Sequence, residues 1–314
     1  MPGPRRIVAL HAPSPLGLMP QHDGRVSGVR RAPDVLRAAG LHDALGAKLA
    51  GAVAPPPYIA EREPATGLRN VRGIASYSVE LADALAPLLD DAAAFPLVLG
   101  GDCSILLGSA LALRRRGRYG LVYIDAHPDY LTTEQTQTGG VAGLPLALVT
   151  GLGPQPLTDL EGCRACIAQE DAVVVASRDP YQIRVRDGEK RVEASAIRAH
   201  DLGEIRARSP RAVAADVMRY LAARGVDGIW LHFDVDALDS AIMPAVDSPE
   251  PDGLSRAEAA ELLGALAAHP LACGLQVTIY DPDRDEDGSA ARLLVGVLAD
   301  ALAPLRAPSA AAHA

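Results

Sequence analysis

Residues 119–129 read YGLVYIDAHPD. From Tyr119 to Ile124 the run is apolar, without the polar alternation of a half-exposed strand, and it stops abruptly at Asp125. Such a run describes a strand buried on both faces, which belongs in a parallel sheet covered by helices. The pattern recurs in RIVALHA (6–12), FPLVLGG (95–101), AVVVASR (172–178), GIWLHFDVDA (228–237) and CGLQVTIYD (273–281). Between these runs lie Ala/Leu-rich helical candidates at 79–93, 104–116, 211–224, 255–268 and 289–303. Ser255, with Glu258 three residues on, carries a capping-box signature. The βαβα alternation predicts an α/β fold, a three-layer αβα sandwich with a mostly parallel central sheet. With no internal repeat and no Gly/Pro/Ser-rich linker, residues 1–306 read as a single domain. The closing APSAAAHA (307–314) reads as a disordered tail.

The chain has 314 residues, 49% of them apolar and only 4% aromatic, so a large core must come mainly from Ala, Leu and Val. Acidic side chains outnumber Lys and Arg by 39 to 30, a net charge of −9. That balance argues against nucleic-acid and anionic-membrane partners and fits a metal or a cationic small molecule. Four cysteines do not make a disulfide scaffold and suit a reducing cytoplasm. The apolar run Ile7–Leu10 is too short for a signal peptide, and no stretch approaches the roughly 20 apolar residues of a membrane span. The expectation is a soluble, cytoplasmic protein.

In open α/β sheets, functional groups gather beyond the carboxyl ends of the strands. Three runs end in unusual clusters: LVLGGDCS, with Asp102, Cys103 and Ser104; YIDAHPD, with Asp125, His127 and Asp129; and LHFDVDALD, with Asp234, Asp236 and Asp239. An extended backbone sends every second side chain to one side, so Asp125, His127 and Asp129 converge if the stretch stays extended. Four carboxylates, Asp125, Asp129, Asp234 and Asp236, would repel strongly at the mouth of an apolar sheet unless cations neutralise them. Two divalent ions resolve the repulsion, with His127 adding an imidazole. Carboxylate oxygens with one imidazole favour manganese or a similar first-row ion. Two such ions a few Å apart bridge a water and bring its pKa toward neutrality for hydrolysis.

These motifs, together with GVRRAPDVLRAAGL (28–41) and YDPDRDEDGSAARLL (280–294), resemble the ureohydrolases, the family of arginase and agmatinase. The resemblance covers most of the chain and implies the arginase/deacetylase-like fold. It also implies two manganese ions and hydrolysis of guanidino or related C–N bonds in linear amidines, with release of urea in the typical case. It makes Asp125 and Asp234 bridging ligands. Cys103 and Asp129 complete one ion's shell, and His127 and Asp236 complete the other's. Asp129 also takes the proton of the bridging water. A homo-oligomer, trimer or hexamer, and a small guanidino or amidino substrate are further implications.

The departures bear on the substrate. Cys103 stands where the family has His; its softer thiolate admits iron, cobalt or zinc and is oxidisable. Ala142 falls where arginase-like members carry a proton-transferring His. Ile279 falls at the Glu that contacts the guanidinium. Arg178, Asp179, Pro180 and Tyr181 replace an Arg-Asp-x-Asp element that grips the amino-acid end of arginine. Tyr130 and Leu131 follow Asp129, where arginase has Asn at the second position. The expected enzyme is a metal-dependent hydrolase whose substrate is not plain arginine. A modified arginine, N-hydroxyarginine for example, needs less help with its leaving group. The alternative is a metal-binding, arginase-like protein without hydrolase activity, with a binding or regulatory role.

Other motifs carry less. Glu134 reads as a solvated loop acid or a stand-in proton carrier, and His232 as either a support for the ligands or a core histidine. Cys163 and Cys166 form a lone C-x-x-C. Asp283, Asp285 and Asp287 begin like a calcium loop, but Leu294 occupies its twelfth position, so a helix N-terminal charge cluster fits better. Arg114–Arg116 and Arg118 end a helix as a solvated face.

Overall fold

A computed structural model describes residues 5–178 and 192–305; the expected tail at 307–314 and the positions Asp179, Pro180 and Tyr181 lie outside these. Eight strands form one sheet: β1 Arg6–Ala12, β2 Lys48–Ala52, β3 Ala94–Gly100, β4 Tyr119–Ile124, β5 Ala172–Val175, β6 Arg198–His200, β7 Gly228–Asp234 and β8 Ala272–Thr278. Their order is β2-β1-β3-β8-β7-β4-β5-β6, and every pairing is parallel. β3 and β4 are buried almost end to end, which is why their sequences show no polar alternation.

The sheet has a core on each face. On one side pack Leu36, Val217, Leu262 and Leu298, from the helices Ala32–Ala38, Pro210–Ala223, Arg256–Ala267 and Ser289–Leu302. On the other pack Leu81, Leu111 and Leu146, from Val71–Asp90, Leu106–Arg114 and Pro145–Val149. This is the three-layer arrangement the alternation implied.

The edges were not legible. β2 is exposed along most of its length and β6 has three residues; a strand paired on one side needs no continuous apolar run. Helix Val71–Asp90 starts well before residue 79, because Ile74 and Tyr77 bury one face of a stretch whose Arg72, Gly73 and Ser76 mask it. The Ser255–Glu258 capping box is present: Ser255 Oγ accepts from the Glu258 N–H, and the Glu258 carboxylate accepts from the Ser255 N–H. Ser255→Ala should lower stability by about 1 kcal/mol, read from the midpoint of chemical denaturation.

The register positions the chemistry. Ile124 lies opposite Phe233 and Asp234 opposite Thr278, so the chain segments leaving β3, β8, β7 and β4 emerge side by side at the centre of the sheet. Gly101 makes the crossing after β3 possible, since a Cβ there would lie 1.9 Å from the Ser14 carbonyl oxygen.

Candidate metal centre

Cys103 follows β3 in a short 3-10 turn capped by Asp102, whose fully buried carboxylate accepts from the N–H groups of Gly17 at 2.9 Å and Ser104 at 2.8 Å. The Cys103 thiol donates to Asp234 Oδ2 at 2.7 Å and lies 3.2 Å from Thr278 Oγ1. Asp125 Oδ1 accepts from the His127 N–H at 2.7 Å. Asp236 Oδ1 accepts from the Ala126 N–H at 3.2 Å, and its Oδ2 is 2.9 Å from His127 Nδ1. Asp234 Oδ1 accepts from the Asp236 N–H at 2.9 Å. The two acidic motifs are thus tied to each other across β4 and β7.

The convergence of Asp125, His127 and Asp129 does not come from an extended backbone. Asp129 adopts φ +44°, a left-handed turn uncommon for a non-glycine residue, which swings its carboxylate back over the strand. There Asp129 Oδ2 accepts from the Tyr123 hydroxyl at 2.5 Å.

Two tight groups of ligating atoms result, each spanning no more than 4.8 Å: Cys103, Asp125, His232 and Asp234 in one, Asp125, His127 and Asp236 in the other. Asp125 belongs to both, and Asp129 lies outside both while lining the same cavity. Asp125 Oδ2 is buried and has no hydrogen-bond partner.

Burial, then Asp236, pushes the carboxyl groups of Asp125 and Asp234 well above the ordinary carboxylate range. Burial lifts Asp129 to about 7. Burial opposes ionisation of Asp236, but the charge of His127 together with hydrogen bonds from His127, Asp125 and the Ala126 N–H holds that carboxyl low. The Cys103 thiol is raised well above its usual value by burial and by Asp234. Crowded acids that resist ionisation and an orphaned carboxylate oxygen make a donor set that fits a pair of divalent cations.

Above this floor opens a cavity of about 900 Å³. Ala142 and Ile279 line it, so neither position supplies a polar contact there. Ile279 holds φ +75°, strained for a β-branched residue. Glu250, which sequence reasoning missed, also faces the cavity; its Oε1 lies 3.9 Å from His127 Nε2, and its buried Oε2 has no partner. Its position in SPEPDG gave no sign of this.

Arg178 points elsewhere. Its guanidinium donates to the carbonyls of Asp236, Ala237, Leu238, Glu250 and Pro251, clamping the loop after β7. Glu134 is exposed and accepts from Thr133 Oγ1. Cys163 and Cys166 are unbridged. Asp285 accepts from the N–H groups of Ala290 and Ala291 at the start of the last helix, the charge cluster expected there. Arg115 and Arg116 pair with the exposed acids Asp83 and Asp90, whereas Arg118 pairs with the buried carboxylate of Asp171. Among the described residues no helix is long and apolar enough to cross a membrane.

Buried carboxylates converging on adjacent strand ends of an all-parallel αβα sandwich are an arrangement that could hold metal ions. The chain belongs to the arginase family, whose family model matches residues 20–303. It is 30% identical to the arginase of Bacillus caldovelox over 233 residues, covering 74% of this chain and 76% of that one. The native structure of that arginase superposes with a TM-score of 0.83 at 26% identity, covering 95% of this chain and 98% of the other. The proclavaminate amidino hydrolase of Streptomyces clavuligerus shares the fold, with a TM-score of 0.70 at 19% identity over 97% and 93% of the two chains.

Proposed function

We propose that this protein hydrolyses a guanidino- or amidino-type C–N bond of a small cationic substrate other than plain arginine, and that a modified arginine such as N-hydroxyarginine is its substrate. The observation that carries the reading is the convergence of Cys103, Asp125, His127, Asp234 and Asp236 on adjacent strand ends, with Asp129 beside them. Cys103, Asp125, Asp129 and Asp234 would hold one ion, and Asp125, Asp234, His127 and Asp236 the other. Manganese suits the carboxylates, while the Cys103 thiolate admits iron, cobalt or zinc. When bound, the two ions supply an activated water and polarise the carbon under attack.

The remaining work falls to the protein's own side chains. Asp129, pinned through Oδ2 by Tyr123, offers its other oxygen to take the proton of the attacking water. Glu250 and Asp247, which line the cavity, would orient a cation above the ligands. With Ala142 and Ile279 apolar, no side chain at either position helps the leaving amine or binds the guanidinium. A substrate with a more acidic leaving group suits such a site.

Glu250→Gln should raise KM for a cationic substrate about 10- to 100-fold, the worth of a charged hydrogen bond, with the ion content unchanged. Steady-state kinetics with metal analysis checks both. The function itself is tested by a panel of guanidino and amidino compounds, with arginine and N-hydroxyarginine side by side, assayed for release of urea, hydroxyurea, ammonia or amine. Turnover of the modified compound well above that of arginine supports the reading. No turnover of any compound with either manganese or cobalt leaves a metal-binding protein without hydrolase activity.

A further inference from the structure

A row of side chains lies one pleat beneath the candidate ligands and, apart from the Tyr123 hydroxyl that holds Asp129, takes no part in the steps above. Tyr123, His232 and Gln276 sit opposite one another on β4, β7 and β8, and Trp230 shares their face two residues before His232. His232 is fully buried, with its ring stacked on Tyr123 at 4.1 Å and 4°. Its Nδ1 lies 2.7 Å from Gln276 Nε2, and the Trp230 indole N–H donates to Gln276 Oε1 at 3.0 Å.

This chain of contacts sets the position of a proton. An indole N–H only donates, so the amide oxygen must face Trp230 and the amide nitrogen must face His232. That nitrogen also only donates, so His232 Nδ1 must be an unprotonated acceptor. The ring proton therefore sits on Nε2. Yet Nε2 is buried without a partner, and His232 belongs to the group in which the ligating atoms of Cys103, Asp125 and Asp234 lie within 4.8 Å of its own.

We propose that His232 is a positioning residue that donates its Nε2–H to the Cys103 thiolate of the metal-loaded protein and is not itself a ligand, with Trp230 and Gln276 fixing its tautomer. The inference rests on the reading of Cys103 as a ligand. Without an ion, the thiol proton lies on the Asp234 side. Metal binding displaces that proton, because a thiol must ionise to ligate. The resulting buried thiolate has the Thr278 hydroxyl at 3.2 Å. The unpartnered His232 N–H is the second donor, and hydrogen bonds to a charged acceptor are the strong ones. Two donors draw electron density from the sulfur, which makes a soft, oxidisable ligand more compatible with a carboxylate-rich centre.

The test uses the full chain loaded with zinc for ¹⁵N-histidine NMR, or with cobalt for the thiolate-to-metal charge-transfer band. Wild type should show the Nε2–H tautomer of His232 when loaded with zinc. Gln276→Glu gives both Trp230 and His232 an acceptor, so the ring proton should move to Nδ1 and the cobalt band to longer wavelength. His232→Phe keeps the stack on Tyr123, removes the donor and should shift the band the same way. An Nδ1–H tautomer with Nε2 on the metal in wild type overturns the proposal, as does an unmoved tautomer in folded Gln276→Glu. A band unchanged in both variants also overturns it while leaving Cys103 as a ligand. Absence of the band in wild type removes Cys103 from the ligand set and overturns both.

Discussion

Asp129→Asn should lower kcat by about 10²- to 10⁴-fold, the range associated with losing a positioned general base, while the protein keeps its ions. Asn retains an oxygen of the same reach but cannot take a proton. Asp129 lies outside both tight groups and is held by the Tyr123 hydroxyl at 2.5 Å, so it is the most peripheral of the ligands proposed, and the Asn oxygen can keep its place in the shell. KM should change little, since the residue acts on the attacking water and not on the cationic group. Single-turnover kinetics with metal analysis of the same preparation measures both halves. Loss of ions together with activity would make Asp129 a ligand first and a base second.

Asp125→Asn should have the largest effect on the metal itself, because Asp125 belongs to both groups. Turnover and tight ion binding should disappear together. So should the rise in Tm on metal loading, which in wild type corresponds to about 4 kcal/mol at a thousandfold excess of ion over Kd. In the metal-free state the sign reverses. Burial and Asp236 hold the Asp125 carboxyl well above its ordinary value. A raised folded-state pKa gives a contribution that is present below the unfolded value and lost as pH rises through the folded one. Metal-free Asp125→Asn should therefore be more stable than metal-free wild type, with the gap widening from about pH 4 upward. Thermal melts with chelator across that range check the direction. A variant less stable than wild type at every pH would mean that burying the Asn amide NH2 in place of the unpartnered Oδ2 costs more than the buried charge.

The central strands were legible because burial on both faces leaves no polar alternation, and β1 and β4 begin where their apolar runs begin. The edges were not, since β2 and β6 pair on one side only. At the site, the acidic motifs were readable as chemistry because nothing structural needs so many carboxylates after strands. Their geometry was less so. The left-handed turn at Asp129 has no local glycine to announce it, and Glu250 reaches the cavity from the loop after β7, whose backbone Arg178 clamps through contacts distant in sequence. His232 read as ambiguous because its meaning lies in register: only the pairing of β7 with β8 sets it opposite Gln276, whose amide Trp230 orients.

The most direct test of the centre is a count of ions. The full chain, loaded with manganese and then freed of unbound metal by gel filtration, should carry two ions per chain by elemental analysis and lose both in Asp125→Asn. Fewer than one ion per chain in the wild type would contradict the dinuclear centre and the hydrolytic function built on it.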